Sequence, residues 1–115
     1  MTRVLFVDDE PLLLRGLQAM TRRERRIDAT FVNDGKAALE ASDAAPFDVV
    51  VTDMRMPGMS GVELLEALVE RGAGARRVLL TGYADERLLE RARRVCDHVL
   101  AKPCGWTELV AALHL

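Results

Sequence analysis

Residues 48–72 read DVVVTDMRMPGMSGVELLEALVERG, and their hydrophobic period changes partway along. The β-branched run DVVVT (48–52) suits a strand buried on both faces, whereas SGVELLEALVERG (60–72) has the period of a helix. Ser60 and Glu63 stand at capping-box spacing, Val62, Leu65 and Val69 share one face, and Gly72 supplies the stop. The loop between them opens on a single carboxylate, Asp53, followed by Met54, Met56 and Met59, which read as loop packing rather than metal ligands.

The same alternation recurs five times along the chain. Strands are expected at RVLFV (3–7), IDATFV (27–32), DVVVT (48–52), RVLLT (77–81) and DHVLA (97–101). PLLLRGLQAMTRRE (11–24) places Pro11 in a first helical turn, and NDGKAALEAS (33–42) offers Asn33 or Asp34 as a cap. In ADERLLERARRV (84–95), Ala84, Leu88, Ala92 and Val95 form an apolar face that leaves Arg87, Arg91 and Arg94 toward solvent. WTELVAALHL (106–115) is a last helix of under three turns, which leaves open both a stand-alone protein and a piece joined to a further domain. Alternating strands and helices specify an α/β fold with a parallel sheet covered by helices.

Size and charge narrow the possibilities. A chain of 115 residues suits one domain, residues 1–115, that buries about two-thirds of its unfolded surface. A formal charge of −2 gives no general pull toward nucleic acid or an anionic membrane, so no direct nucleic-acid binding is expected. The basic run RRERR (22–26) reads as charge opposing a helix dipole. MTRVLFVDDE has too short an apolar run for a signal peptide, and no stretch approaches the roughly 20 apolar residues of a membrane span. A cytoplasmic protein is expected, with Cys96 and Cys104 reduced and, at their spacing around His98, not a zinc site.

In an open parallel sheet every C-terminal strand end lies on one edge, and ligands bind where the connections switch faces. That edge collects Asp8, Asp9 and Glu10 after the first strand, Asp53 after the third, Thr81 at the fourth, and Lys102 and Pro103 after the fifth. Taken singly each has an ordinary explanation. Asp8 and Asp9 could cap a helix, Asp53 could be loop chemistry, Thr81 could end a strand, and Lys102 could be a solvated charge. Yet the chain uses fourteen Arg and only two Lys, Lys36 and Lys102, so a lysine at this edge suggests that a compact point charge is wanted.

Together the residues suit phosphoryl transfer. A carboxylate at the middle strand's end can act as nucleophile and form an acyl phosphate. Adjacent carboxylates can hold Mg²⁺, a hard ion that takes oxygen ligands and bridges to phosphate oxygens. An ammonium and a hydroxyl would pair with other phosphate oxygens.

VDDEP, VVVTDMRMPGMSGVELL, LLTGYAD and AKP stand in an order and spacing that resembles the receiver domain of bacterial two-component response regulators, over essentially the whole chain. The resemblance implies a doubly wound five-stranded parallel sheet, flavodoxin-like (βα)5, with strand order 2-1-3-4-5. It implies a phosphoacceptor rather than a turnover enzyme, with at most slow self-dephosphorylation. The acceptor matches Asp53, the switch hydroxyl Thr81 and the phosphate-binding lysine Lys102. The metal site matches Asp8 and Asp9, with Asp9, Asp53 and the backbone carbonyl of Arg55 as direct Mg²⁺ ligands. Expected partners are a sensor histidine kinase or phosphotransfer protein, and an output domain or partner protein. In the family the fourth helix, fifth strand and fifth helix commonly form the partner or dimer surface, so a homodimer through residues 84–115 is one expected use of it.

Further positions carry family detail. The Lys102-Pro103 peptide is expected to be cis and to aim the lysine. Gly82 should leave access to the phosphate open, and Arg55 and Tyr83 fall where the family tunes hydrolysis, Tyr83 by hindering water. Val99 departs from the pattern, because the family often has an aromatic residue there whose inward swing accompanies the threonine shift. Signalling by that rotamer is therefore not expected.

Other functions fit less well. A phosphohydrolase with an aspartate nucleophile would carry a DxD spacing that VDDEP lacks, and a flavodoxin-type carrier would not put acids against the flavin phosphate. A receiver-like module that binds partners without phosphorylation is the remaining alternative, but its usual sign, loss of an acid or of the lysine, is missing here.

Overall fold

The computed structural model describes residues 1–82 and 85–115. Among them the chain alternates strand and helix five times. The strands are β1 (Thr2–Val7), β2 (Ile27–Val32), β3 (Val49–Asp53), β4 (Arg76–Thr81) and β5 (His98–Ala101). The helices are α1 (Pro11–Thr21), α2 (Gly35–Ala44), α3 (Gly61–Glu70), α4 (Glu86–Arg93) and α5 (Trp106–Leu113). All strand pairs are parallel and the sheet order is β2-β1-β3-β4-β5, the order expected from the sequence.

Strand alternation distributes the core over two layers. From β1, Val4 and Phe6 face one way with Val51 and Leu80, packed against Leu109, Ala112 and Leu113 of α5 and Leu17 of α1. Leu5 and Val7 face the other way with Val50 and Leu79, packed against Ala38 and Leu39 of α2, Leu64, Leu65 and Leu68 of α3, and Ala92 of α4. Because β1 and β3 are apolar on both faces, they can only be central strands, and the helices must cover both sides. The connections therefore change sides between β1 and β3, so the ends of those two strands flank the crevice.

Local chemistry sets the helix ends. Ser60 and Glu63 form the full capping box of α3, and α3 closes through Arg71 into Gly72 at φ +71°. Asp34, rather than Asn33, caps α2 by accepting from Ala37 N–H at 2.7 Å. Pro11 opens α1.

Some expectations change. Val69 is 44% exposed, and the buried stripe of α3 is Val62, Leu64, Leu65 and Leu68, because the helix turns Val69 away from α2 and the sheet. α1 ends at Thr21, so the basic run starts at the C-cap, Arg22, rather than in the last turn, and Arg26 is paired with Glu24. α4 buries Ala92, with Leu88 and Val95 half-buried beside it; Ala84 lies outside the described residues. Arg91 points outward but is clasped by both carboxylate oxygens of Glu66 on α3, at 2.8 and 2.5 Å. Met54 and Met56 are buried and Met59 packs against the same core, as loop packing requires. Among the described residues, no helix is long and apolar enough to cross a membrane.

Candidate functional site

β1 and β3 run side by side with Val7 opposite Thr52, so Asp8, just past the end of β1, and Asp53, the last residue of β3, emerge together. Asp8 is 2% and Asp53 8% exposed. Asp9 is more open to solvent, yet one carboxylate oxygen from each of the three lies within 4.8 Å of the others. Neither Asp8 nor Asp9 caps α1. The N-cap is Glu10, which makes no side-chain cap, and Asp8 Oδ1 instead accepts from the Glu10 amide at 2.9 Å. The capping explanation of the acidic pair therefore fails, and its carboxylates remain turned to the strand edge.

β5 brings the counter-charge. Lys102 N–H donates to the Thr81 carbonyl at 2.9 Å, which fixes the chain as it leaves the sheet. The Lys102 ammonium reaches back to Asp53 Oδ1 at 3.1 Å and Asp8 Oδ2 at 3.5 Å. The Lys102-Pro103 peptide is cis, as expected. Burial works to lower the basicity of Lys102, but Asp53 and Asp8 outweigh it, so the ammonium is held above its usual range. Burial acts on Asp8 in the opposite sense and raises its carboxyl, assisted by the Asp53 charge and opposed by the Glu10 amide and Lys102. The two shifts differ in their main cause, burial for Asp8 and the neighbouring carboxylates for Lys102.

Three carboxylates against one ammonium leave a local excess of two negative charges when all are ionised. An all-oxygen donor set with that excess is what a hard divalent cation requires. Asp9 and Arg55, the residue whose carbonyl was expected as a ligand, line one cavity of about 480 Å³ with Met54, Met56, Pro57, Ser60 and Leu88. Cys96 and Cys104 are free and belong to no such cluster among the described residues.

Thr81 is 8% exposed and shares with Lys102 a second cavity, about 380 Å³, lined also by Gly82, Leu89, Arg93, Val99 and Ala101. Gly82 faces solvent, and a Cβ added there would meet Lys102 Cβ at 3.5 Å, an ordinary contact. Val99 lies half-buried under α4. Tyr83 lies outside the described residues. The structure thus brings Asp8, Asp9, Asp53 and Lys102 into one cluster and sets Thr81 on its Lys102 side.

Three features around Asp53 were not singled out from the sequence. Thr52 Oγ1 donates to the Asp53 carbonyl at 3.0 Å, the Met54 amide meets Asp53 Oδ1 at 2.9 Å, and Gly61 packs against the same carbonyl. The one available signal was the hydroxyl that ends an otherwise all-valine run, VVVT.

A doubly wound sheet with a lysine drawn into an acidic edge defines a class of signalling module, the one that works in two-component phosphorelays. A family model described as the response regulator receiver domain matches residues 4–114, and the chain belongs to that family. It is 36% identical over 110 residues to the transcriptional regulatory protein CutR of Streptomyces coelicolor, covering 95% of this chain and 50% of that protein. It is 35% identical over 109 residues to the transcriptional activator protein PfeR of Pseudomonas aeruginosa, covering 95% of this chain and 35% of that protein. The chain thus spans between about a third and half of the curated relatives it matches. Among solved structures, the response regulator protein TrrA from Thermotoga maritima, in complex with Mg(2+)-BeF, superposes with a TM-score of 0.88 at 28% identity, covering 99% of this chain and 97% of that one.

Proposed function

We propose that the chain is a phosphoacceptor switch that takes a phosphoryl group on Asp53. The observation that carries the reading is the Asp53 carboxylate itself: buried at the crevice, one oxygen 3.1 Å from the Lys102 ammonium, with two further acids beside it. From a phosphohistidine donor, a carboxylate oxygen of Asp53 attacks phosphorus, the P–N bond breaks, and the electron pair returns to the imidazole, which takes up a proton. Lys102 pairs with a phosphoryl oxygen, and the Thr81 hydroxyl, on the same side, donates to another. Phosphorylation exchanges the Asp53 carboxylate contact of Lys102 for a contact to a phosphoryl oxygen, and movement at Thr81 carries the change toward α4.

Asp9, Asp53 and the Arg55 carbonyl would hold Mg²⁺, with Asp8 beside them. When bound, the ion supplies neutralisation of phosphoryl charge that one lysine does not. The likeness to TrrA, solved with Mg(2+)-BeF, supports the same ion here. The donor is a sensor histidine kinase or a phosphotransfer protein, and the receiver of the signal is an output domain or partner protein; the transcriptional relatives favour an output that acts on gene expression. A cytoplasmic location goes with such a donor. The module accepts one phosphoryl group per cycle and loses it slowly, so it is not an enzyme in the turnover sense.

Incubation with acetyl phosphate, followed by intact mass, tests the reading. A single phosphoryl adduct is expected with Mg²⁺ and not in EDTA. Folded protein that binds Mg²⁺ yet takes no phosphoryl group, from acetyl phosphate or from a phosphorylated kinase, would make it a phosphorylation-independent interaction module.

A further inference from the structure

Thr52 precedes Asp53 and is fully buried, between Val7 of β1 and Leu79 of β4 in the sheet. Valine would fill the same volume and would continue the run of Val49, Val50 and Val51. A hydroxyl in such surroundings costs free energy unless it finds a partner. Its partner is the Asp53 carbonyl oxygen, to which Thr52 Oγ1 donates at 3.0 Å.

That carbonyl is confined from a second direction. Gly61, the first residue of α3, lies so close that a Cβ there would stand 2.0 Å from the Asp53 oxygen. The nitrogen of the same peptide is also held. Met54 N–H donates to the Leu80 carbonyl at 3.0 Å and lies 2.9 Å from Asp53 Oδ1. The peptide joining Asp53 to Met54 is therefore fixed at its oxygen and its nitrogen, and the nitrogen touches the carboxylate. Rotation of this peptide would carry Met54 N–H away from Oδ1, the oxygen that also faces Lys102 Nζ.

We propose that Thr52 is a positioning residue for phosphoryl transfer: its hydroxyl fixes the Asp53-Met54 peptide and thereby the angle at which the Asp53 carboxylate meets the incoming phosphorus. The role rests on Asp53 being the acceptor. Reactions of this kind depend mainly on positioning and charge, so a small rotation of the nucleophile slows them without unfolding anything.

The test compares Thr52→Val, Thr52→Ser and Thr52→Ala with the parent, measuring the rate of adduct formation from acetyl phosphate and Mg²⁺ by intact mass and the stability by urea midpoint. Thr52→Val keeps the volume and loses the donor, and is expected to react about tenfold more slowly, the rate equivalent of about 1.4 kcal/mol. Thr52→Ser keeps the donor and loses a buried methyl, so it is expected to be less stable than the parent yet to recover most of the rate. Thr52→Ala lacks both and is expected to be slow as well as unstable. A purely structural role would make rate follow stability. The proposal is overturned if Thr52→Val reacts at the parent's rate, if Thr52→Ser is as slow as Thr52→Val, or if Thr52→Ala is as fast as Thr52→Ser. A parent left unlabelled by acetyl phosphate and by a phosphorylated kinase would remove the acceptor reading and this inference together, whereas a labelled parent matched by the donorless variants removes this inference alone.

Discussion

Lys102 Nζ stands 3.1 Å from Asp53 Oδ1, and the same ammonium lies 3.5 Å from Asp8 Oδ2. One cation therefore serves two buried acids from the adjacent strands β1 and β3 that flank the crevice. The Lys102→Met variant should lose roughly 1–3 kcal/mol of stability in EDTA, because it leaves the Asp8 carboxyl buried without its charge partner. Mg²⁺ should restore more stability to the variant than it adds to the parent, since the local negative excess has grown. Thermal melts with and without Mg²⁺ check this, and equal Mg²⁺ shifts in both proteins would contradict it.

Gly61 is required by space. An added Cβ would meet the Asp53 carbonyl oxygen at 2.0 Å and Leu79 Cδ1 at 3.0 Å, and the first of these is backbone that cannot step aside. Gly61→Ala should cost more than about 3 kcal/mol by urea denaturation. Gly74→Ala, where nothing stands within 4 Å, should stay within about 0.5 kcal/mol.

Gly16 offers the reverse case. It sits inside α1 with open space around an added Cβ, so Gly16→Ala should stabilise the protein by about 0.5–1 kcal/mol through helix propensity alone. A lower urea midpoint in the variant would show that the α1 surface needs the glycine.

Burial pushes the Cys96 thiol from 9.0 up to about 11. Between those values the unfolded chain has released the proton and the folded chain has kept it, so this contribution to stability is complete below pH 9 and is lost as pH rises toward 11. Urea midpoints of the parent should fall faster over that window than those of Cys96→Ala; identical slopes would mean that the thiol is not shielded.

The sequence was most legible where one element carries its own signal. The capping box of Ser60 and Glu63 and the both-sided apolar strands β1 and β3 are local patterns and stand where their patterns require, and of the two caps offered for α2, Asn33 and Asp34, the structure uses Asp34. The cluster of Asp8, Asp9, Asp53 and Lys102 was legible because a parallel sheet delivers all its strand ends to one edge. Relations between elements were not legible. Helical period alone groups Val69 with Val62 and Leu65, and only the placement of α3 on the sheet turns it to solvent. Nothing in the spacing of Thr52, Asp53 and Gly61 shows that a hydroxyl and an absent side chain confine one carbonyl, because that depends on how α3 returns against the end of β3.

The most direct measurement is the position of the phosphoryl group. Protein treated with acetyl phosphate and Mg²⁺ is reduced with borohydride, which converts an aspartyl phosphate to homoserine, and is then digested and mapped by mass. Conversion at Asp53, absent without Mg²⁺ and absent in Asp53→Asn, is the expected result. Conversion at Asp8 or Asp9 in the parent, or undiminished labelling of Asp53→Asn, would contradict Asp53 as the acceptor.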